Sequence, residues 1–206
     1  MKLLSSQLQF LALAIMIMTA SAAMAQGGYV APMSLDEAIN NPSIRDNKVR
    51  SSISNYQMKQ AKILLEDRNL IVETMRNKEV IVISIPADLL FEPNETELSD
   101  DASDVLERFR GFLRTPDFYR MALAMYHDDS CSNSFSRQLT DKRVQSVYDW
   151  FALYSGANYV STFSFGNTNF LKPNNSIQNR RLNRRLEIYL IPGNAMIDQA
   201  KRNLLK

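Results

Sequence analysis

Two side chains of opposite charge, Asp128 and Arg143, stand fifteen residues apart, and forty residues beyond Arg143 the chain reads Asn183-Arg184-Arg185-Leu186-Glu187-Ile188. The spacing predicts the carboxylate on a loop and the guanidinium in the first turn of the helix that follows. A carboxylate accepts hydrogen bonds from an ammonium, and a guanidinium donates a parallel pair to a carboxylate. Together they suit a ligand that carries both charges. Catalysis has no comparable set of residues. His127 is the only histidine and Cys131 the only cysteine, and neither has triad or metal-ligand partners at a usable spacing. No metal, no cofactor and no enzymatic activity are expected, since no activated nucleophile or general base is apparent.

The elements that must position these groups follow from pattern. Lys2, the apolar run from Phe10 to Met18 and the small residues ending in Ala23-Met24-Ala25 read as a signal peptide over 1–25. The apolar core is shorter than the roughly 20 residues that cross a bilayer, so no retained transmembrane segment is expected. Of the 24 Lys+Arg only Lys2 leaves with that segment, against 22 Asp+Glu; the balance implies no broad basic face and no nucleic-acid partner. Residues 26–42, with Gly27, Gly28, Pro32 and Pro42, read as a linker.

From Ser43 to Asn77 there is no Gly or Pro, and Val49, Ile53, Tyr56, Ile63, Leu64, Leu70, Ile71 and Met75 recur at roughly helical spacing. This predicts an N-terminal helical extension over 43–77 with Ser43 as its N-cap. It is either a partner-binding helix or a spacer that docks on the domain; the heptads are not sustained. Strands are predicted over 79–85, 118–126, 159–165 and 185–191, with a helix after Ser99 and another carrying Leu139, Val144, Val147, Tyr148 and Phe151. A short helical turn before the last strand and a tail over 193–206 complete the chain. The order βαβαβ(α)β implies an α+β domain over 78–192, a mixed sheet with helices on one face.

On these residues the chain from about Val80 to Ile191 resembles an OmpA-like domain, the periplasmic peptidoglycan-binding module also found in Pal and MotB proteins. Leu90-Phe91-Glu92 with Glu97-Leu98, Tyr126-His127-Asp128, Phe135-Ser136 with Leu139-Thr140 and Arg143, and Gly166, Asn174 and Asn183 through Ile188 are similar to its four blocks, in its order. The resemblance implies a non-enzymatic cell-wall anchor, periplasmic and outer-membrane or wall associated, that binds the diaminopimelate-type stem peptide of peptidoglycan noncovalently. It implies that Asp128 and Arg143 hold the charged end of diaminopimelate, that Leu139 and Thr140 line the pocket, and that Phe91 and Glu92 lie at its mouth. Asn183 occupies the family's recurrent asparagine. The chain departs from the pattern at Met125, Tyr126, His127 and Cys131, where the family has glycine, histidine, threonine and glycine, and at Ser136 and Val144, where it has asparagine and alanine; Met125 and Cys131, standing for glycines, are expected to alter the pocket's rim.

Alternatives stand beside these readings. The domain is otherwise a scaffold or assembly module of an envelope complex, with the divergent loop or the N-terminal helix against a protein. Asp128 otherwise only orders its loop, and Arg143 only pairs with Asp141 or Asp129. Arg180, Arg181, Arg184 and Arg185 either meet an anionic polymer or form an ion-paired entry to the last strand. Cys131 is a small buried hydrophobe or an exposed thiol.

Overall fold

The computed structural model describes residues 33–155 and 157–205. The expected signal peptide and residues 26–32 of the expected linker lie outside the described residues.

Five strands, β1 (Ile71–Met75), β2 (Val80–Pro86), β3 (Tyr119–Tyr126), β4 (Val160–Gly166) and β5 (Arg185–Pro192), form one sheet in the order β1-β2-β5-β3-β4. β3 and β4 are parallel and every other pairing is antiparallel, so the sheet is mixed as expected. β2 is nearly continuous in β-branched residues because its neighbours bury it on both sides. The helices are α1 (Leu35–Asn40), α2 (Asn47–Leu64), α3 (Ala102–Arg110), α4 (Asn133–Ser155), α5 (Ile177–Asn183) and α6 (Asn194–Lys201). No helix among the described residues is long and apolar enough to cross a membrane.

The main core lies between one sheet face and the helices. Ile81, Ile83, Leu123, Leu186 and Ile188 meet Ile53 of α2, Leu106 and Phe109 of α3, Val147 and Phe151 of α4 and Met196 of α6. The strands alternate, so Val80, Ala122, Ala124, Tyr126 and Tyr189 point the other way, where Ile39 of α1 packs. The domain helices α3 and α4 share this face as expected; α1, begun by a capping box between Ser34 and Glu37, lies before the domain, within the expected linker, and takes the opposite side.

The stretch read as a 43–77 extension is part of the core. α2 starts at Asp46, whose carboxylate accepts from the Lys48 and Val49 N–H groups, and not at Ser43. Its inner stripe is Val49, Ile53, Gln57, Ala61 and Leu64. Gln57 is fully buried and donates to the carbonyls of Glu79 (2.8 Å) and Leu190 (3.3 Å) while accepting from the Tyr119 hydroxyl (2.8 Å). A polar residue in mid-stripe blurred the helical period in the sequence. The helix ends at Leu64, and Ile71–Met75 is an edge strand paired with β2, Ile71 opposite Ser84 and Met75 opposite Val80. Its β-branched Ile71, Val72 and Thr74 suit a pleated surface, and β2 supplies the partner that periodicity alone does not reveal. The expected tail is likewise ordered: α6 buries Met196 and Ala200.

Candidate functional site

Strand register brings the site together. Arg185, at the start of β5, lies opposite Pro86 on one side and Tyr126 on the other. The turn after β2, the loop after β3 and the residue before β5 therefore emerge side by side. The Ala87 N–H donates to the Arg184 carbonyl (2.9 Å) and the His127 N–H to the Gly166 carbonyl (2.7 Å), which fixes all three exits.

α4 is set against this end by Gly166 and Thr140. Gly166 has φ +57°, and a Cβ there would stand 3.2 Å from the Arg137 backbone nitrogen, so only glycine allows the close approach. The ladder to β3 shifts register at the same point, between Met125 and Tyr126. The Thr140 hydroxyl donates to the Ser136 carbonyl (2.8 Å), meets the Ser164 hydroxyl (2.8 Å) and accepts from the Gly166 N–H (3.1 Å). α4 begins at Asn133, so Arg143 sits in mid-helix and not in its first turn.

Between these exits is a cleft of about 530 Å³ whose walls include Phe91, Glu92, His127, Cys131, Arg143 and Arg184. Arg143 is 5% exposed; its guanidinium lies 4.8 Å from the Phe91 ring centroid. It donates through Nε to the Glu95 carbonyl (2.7 Å) and through Nη2 to the Glu92 carbonyl (3.0 Å). Those bonds use part of the fork and leave its remaining N–H groups for a ligand. Burial, and then the neighbouring charge of Arg184, hold its pKa down to about 10, so it stays cationic at neutral pH.

Asp128 is 0% exposed. One oxygen accepts from the Ser130 N–H (3.0 Å) and hydroxyl, and the other pairs with Arg184. Burial pushes its pKa up, but Ser130 and Arg184 outweigh this and hold it below the usual carboxylate range. The His127 Nδ1 lies 3.0 Å from the Asp128 carbonyl oxygen, which can only accept, so Nδ1 carries the proton. The Cys131 Sγ is 3.7 Å from the same nitrogen. Burial, and secondarily the Asp128 charge, push the thiol's pKa up, the reverse of an activated nucleophile. Cys131 is half-buried in the cleft wall, between the two sequence readings.

The expected residues divide into two groups. Phe91, Glu92 and Arg143 face the cleft, and Asp128 lies behind it, reached through Arg184. Leu139 and Thr140 are buried and are not among the cleft's walls; Thr140 spends its hydroxyl joining α4 to β4. Asn183 is also turned inward, donating to the Lys172 carbonyl (2.7 Å) and the Asn174 side chain (2.8 Å) and accepting from the Lys172 N–H (3.0 Å). It ties down the loop before α5. Met125 points into the main core and does not touch the rim that replacing the family's glycine was expected to change, whereas Cys131, the other such replacement, lies in the cleft wall; Tyr126 stacks on Phe165 across the opposite face.

Sequence reasoning missed Arg184 as a site residue. Arg184 and the three arginines around it are all ion-paired: Arg180 with Asp129 (3.4 Å), Arg181 with Asp88 (2.5 Å), Arg184 with Asp128, and Arg185 with Glu187 (2.8 Å). The usable signal was position: Arg184 immediately precedes the strand whose register gathers the site. Among the described residues no group of His, Cys, Asp and Glu is placed to hold a metal ion.

No protein-family model matches the chain, and no curated protein matches it. Solved structures do. A MotB-like protein from Desulfovibrio vulgaris superposes with a TM-score of 0.58 at 22% identity, covering 70% of this chain and 95% of that one. The cell wall anchor of the T6SS from Pseudomonas aeruginosa gives 0.54 at 21%, over 68% and 96%. The periplasmic domain of Helicobacter pylori MotB gives 0.52 at 23%, over 66% and 89%. The fold is that of OmpA-like domains.

Proposed function

We propose that this chain is a non-enzymatic periplasmic cell-wall anchor that holds the stem peptide of peptidoglycan by a carboxylate of its diaminopimelate-type residue. The observation that carries the reading is the convergence of two cationic forks, Arg143 and Arg184, on one cleft floored by Phe91, with the buried Asp128 carboxylate behind them. The free N–H groups of Arg143 take a carboxylate, and Arg184 supplies a second donor. A ligand ammonium reaches Asp128 when Arg184 turns outward, the carboxylate exchanging one cation for another. No bond is made or broken. Two of the similar structures are a periplasmic domain and a cell wall anchor, which supports the compartment and the class of partner.

The test is co-sedimentation of the purified protein with insoluble peptidoglycan. Arg143→Ala is expected to lower affinity about tenfold or more, the loss of one charge-assisted hydrogen bond of roughly 1.5–3 kcal/mol. Because Arg143 also holds two loop carbonyls, Arg143→Lys is run beside it; it keeps the charge and loses the fork. Arg181 is unsuitable as a charge control, since its partner Asp88 is in the cleft wall. Arg202, exposed at the end of α6, serves instead. The second reading, a scaffold module of an envelope complex that no longer meets the wall, is favoured by the full burial of Asp128. It takes over if the unaltered protein stays in the supernatant.

A further inference from the structure

Away from the cleft, and independent of the wall reading, the sheet ends at β1, whose outer edge pairs with no other strand among the described residues. β1 has no proline, no lysine and no bulge in its register with β2, three of the devices by which edge strands block further pairing; its one charge is Glu73. Two of its residues, Ile71 and Met75, are exposed apolar side chains. Beside the edge runs a groove of about 700 Å³ between β1 and the second half of α2. Its walls are apolar, formed by Met58, Ala61, Leu65 and Val72. Met58 is 41% and Leu65 57% exposed. Lys59 and Lys62 stand on the helix side of the groove, and neither has an ion pair among the described residues. Glu73 lies at the middle of β1.

We propose that this edge and groove receive an extended segment of a partner protein, pairing along β1 and carrying acidic side chains among apolar ones on the side that faces α2. Unpaired backbone groups of β1 supply the hydrogen bonds of strand addition, and alternate side chains of the incoming segment fill the groove. Charge sets the sign of the partner: Lys59 and Lys62 call for carboxylates toward α2, and Glu73 for a residue that is not acidic opposite it. The same charges speak against a second copy. Two-fold antiparallel pairing centred on β1 sets Glu73 against Glu73 and gathers the lysines of both α2 helices on one face of the joined sheet.

The experiment uses the full chain and two fluorescently labelled peptides, acetyl-Glu-Ile-Val-Lys-Glu-Ile-Val-amide and its charge-reversed counterpart with Lys and Glu exchanged. The first is expected to bind about tenfold more tightly than the second at low salt, with the preference shrinking as salt rises. Amide hydrogen exchange of residues 71–75 is expected to slow in its presence. Replacing both lysines, Lys59→Glu with Lys62→Glu, is expected to reverse the preference while circular dichroism stays unchanged. Equal affinity for the two peptides, binding of neither, or unchanged exchange along β1 overturns the proposal. So does protection of β1 that grows with protein concentration alone, which assigns the edge to a second copy.

Discussion

At the scale of single residues, the site depends on how Asp128 is held. Its carboxylate is buried and bonded to Ser130 and Arg184, and its pKa is depressed. A group depressed in the folded state contributes stability above its unfolded pKa, about 3.9, and loses it as pH falls through the folded value. Asp128→Asn is therefore expected to lower stability at neutral pH, by about 1.5–3 kcal/mol. The gap to the unaltered protein should be constant from pH 5 to 8 and close below about pH 4; denaturant melts at a series of pH values measure it. A gap independent of pH would place the contribution elsewhere. Arg184→Ala tests the same pair from the other side. The Asp128 carboxyl resonance, followed by NMR titration, should move back up toward the ordinary range once that cation is gone. Asp128 and Arg143 were legible in the sequence because both match a motif. Arg184 was not, because a run of arginines looks alike until the aspartate opposite each one is known.

Elements hold these residues by a few polar and steric fixtures. Gly166 lets α4 approach β4, and Gly166→Ala combines a positive φ with a tight contact to the Arg137 backbone, 3.2 Å from its nitrogen. The conformational part alone costs an L-residue roughly 1–2 kcal/mol, so a loss beyond that is expected in thermal melts, with altered amide shifts at Ser136 and Arg137. Gln57 is the corresponding fixture for α2. Gln57→Ala leaves the Tyr119 hydroxyl and the Glu79 and Leu190 carbonyls short of a partner at the centre of the core. Each buried group left unsatisfied costs about 1–3 kcal/mol. A change within 0.5 kcal/mol, the usual range for surface positions, would mean that α2 merely rests on the domain. The four strands between Val80 and Ile191 lie close to their expected positions, since alternation reports directly on which face is buried, and both expected helices form, though α4 starts at Asn133, earlier than the expected first turn at Arg143. β1 was misread as helix because Leu70, Ile71 and Met75 also fit a 3.6-residue period, and a short apolar run does not declare its partner.

For the whole molecule, the boundary expected at residue 78 becomes an experiment. A fragment of residues 78–192 lacks β1, α2 and α6. It uncovers the surface that Ile53, Leu64 and Met196 bury and removes Gln57 from three partners. It is expected to show weakened near-ultraviolet dichroism and a broad or absent thermal transition, whereas residues 34–205 melt cooperatively. A sharply melting short fragment would restore the extension to the role of a spacer. Sequence by itself determined the architecture of the central domain and the two charged groups fifteen residues apart. Each of these is written in local composition, periodicity or motif order. The tertiary structure decided that α2 packs into the core and that Ile71–Met75 is an edge strand of the sheet, that α1 lies on the opposite sheet face, that Thr140 and Asn183 brace the site from inside, and that Arg184 holds Asp128. Those facts depend on which distant residues meet across the sheet, and strand register sets that.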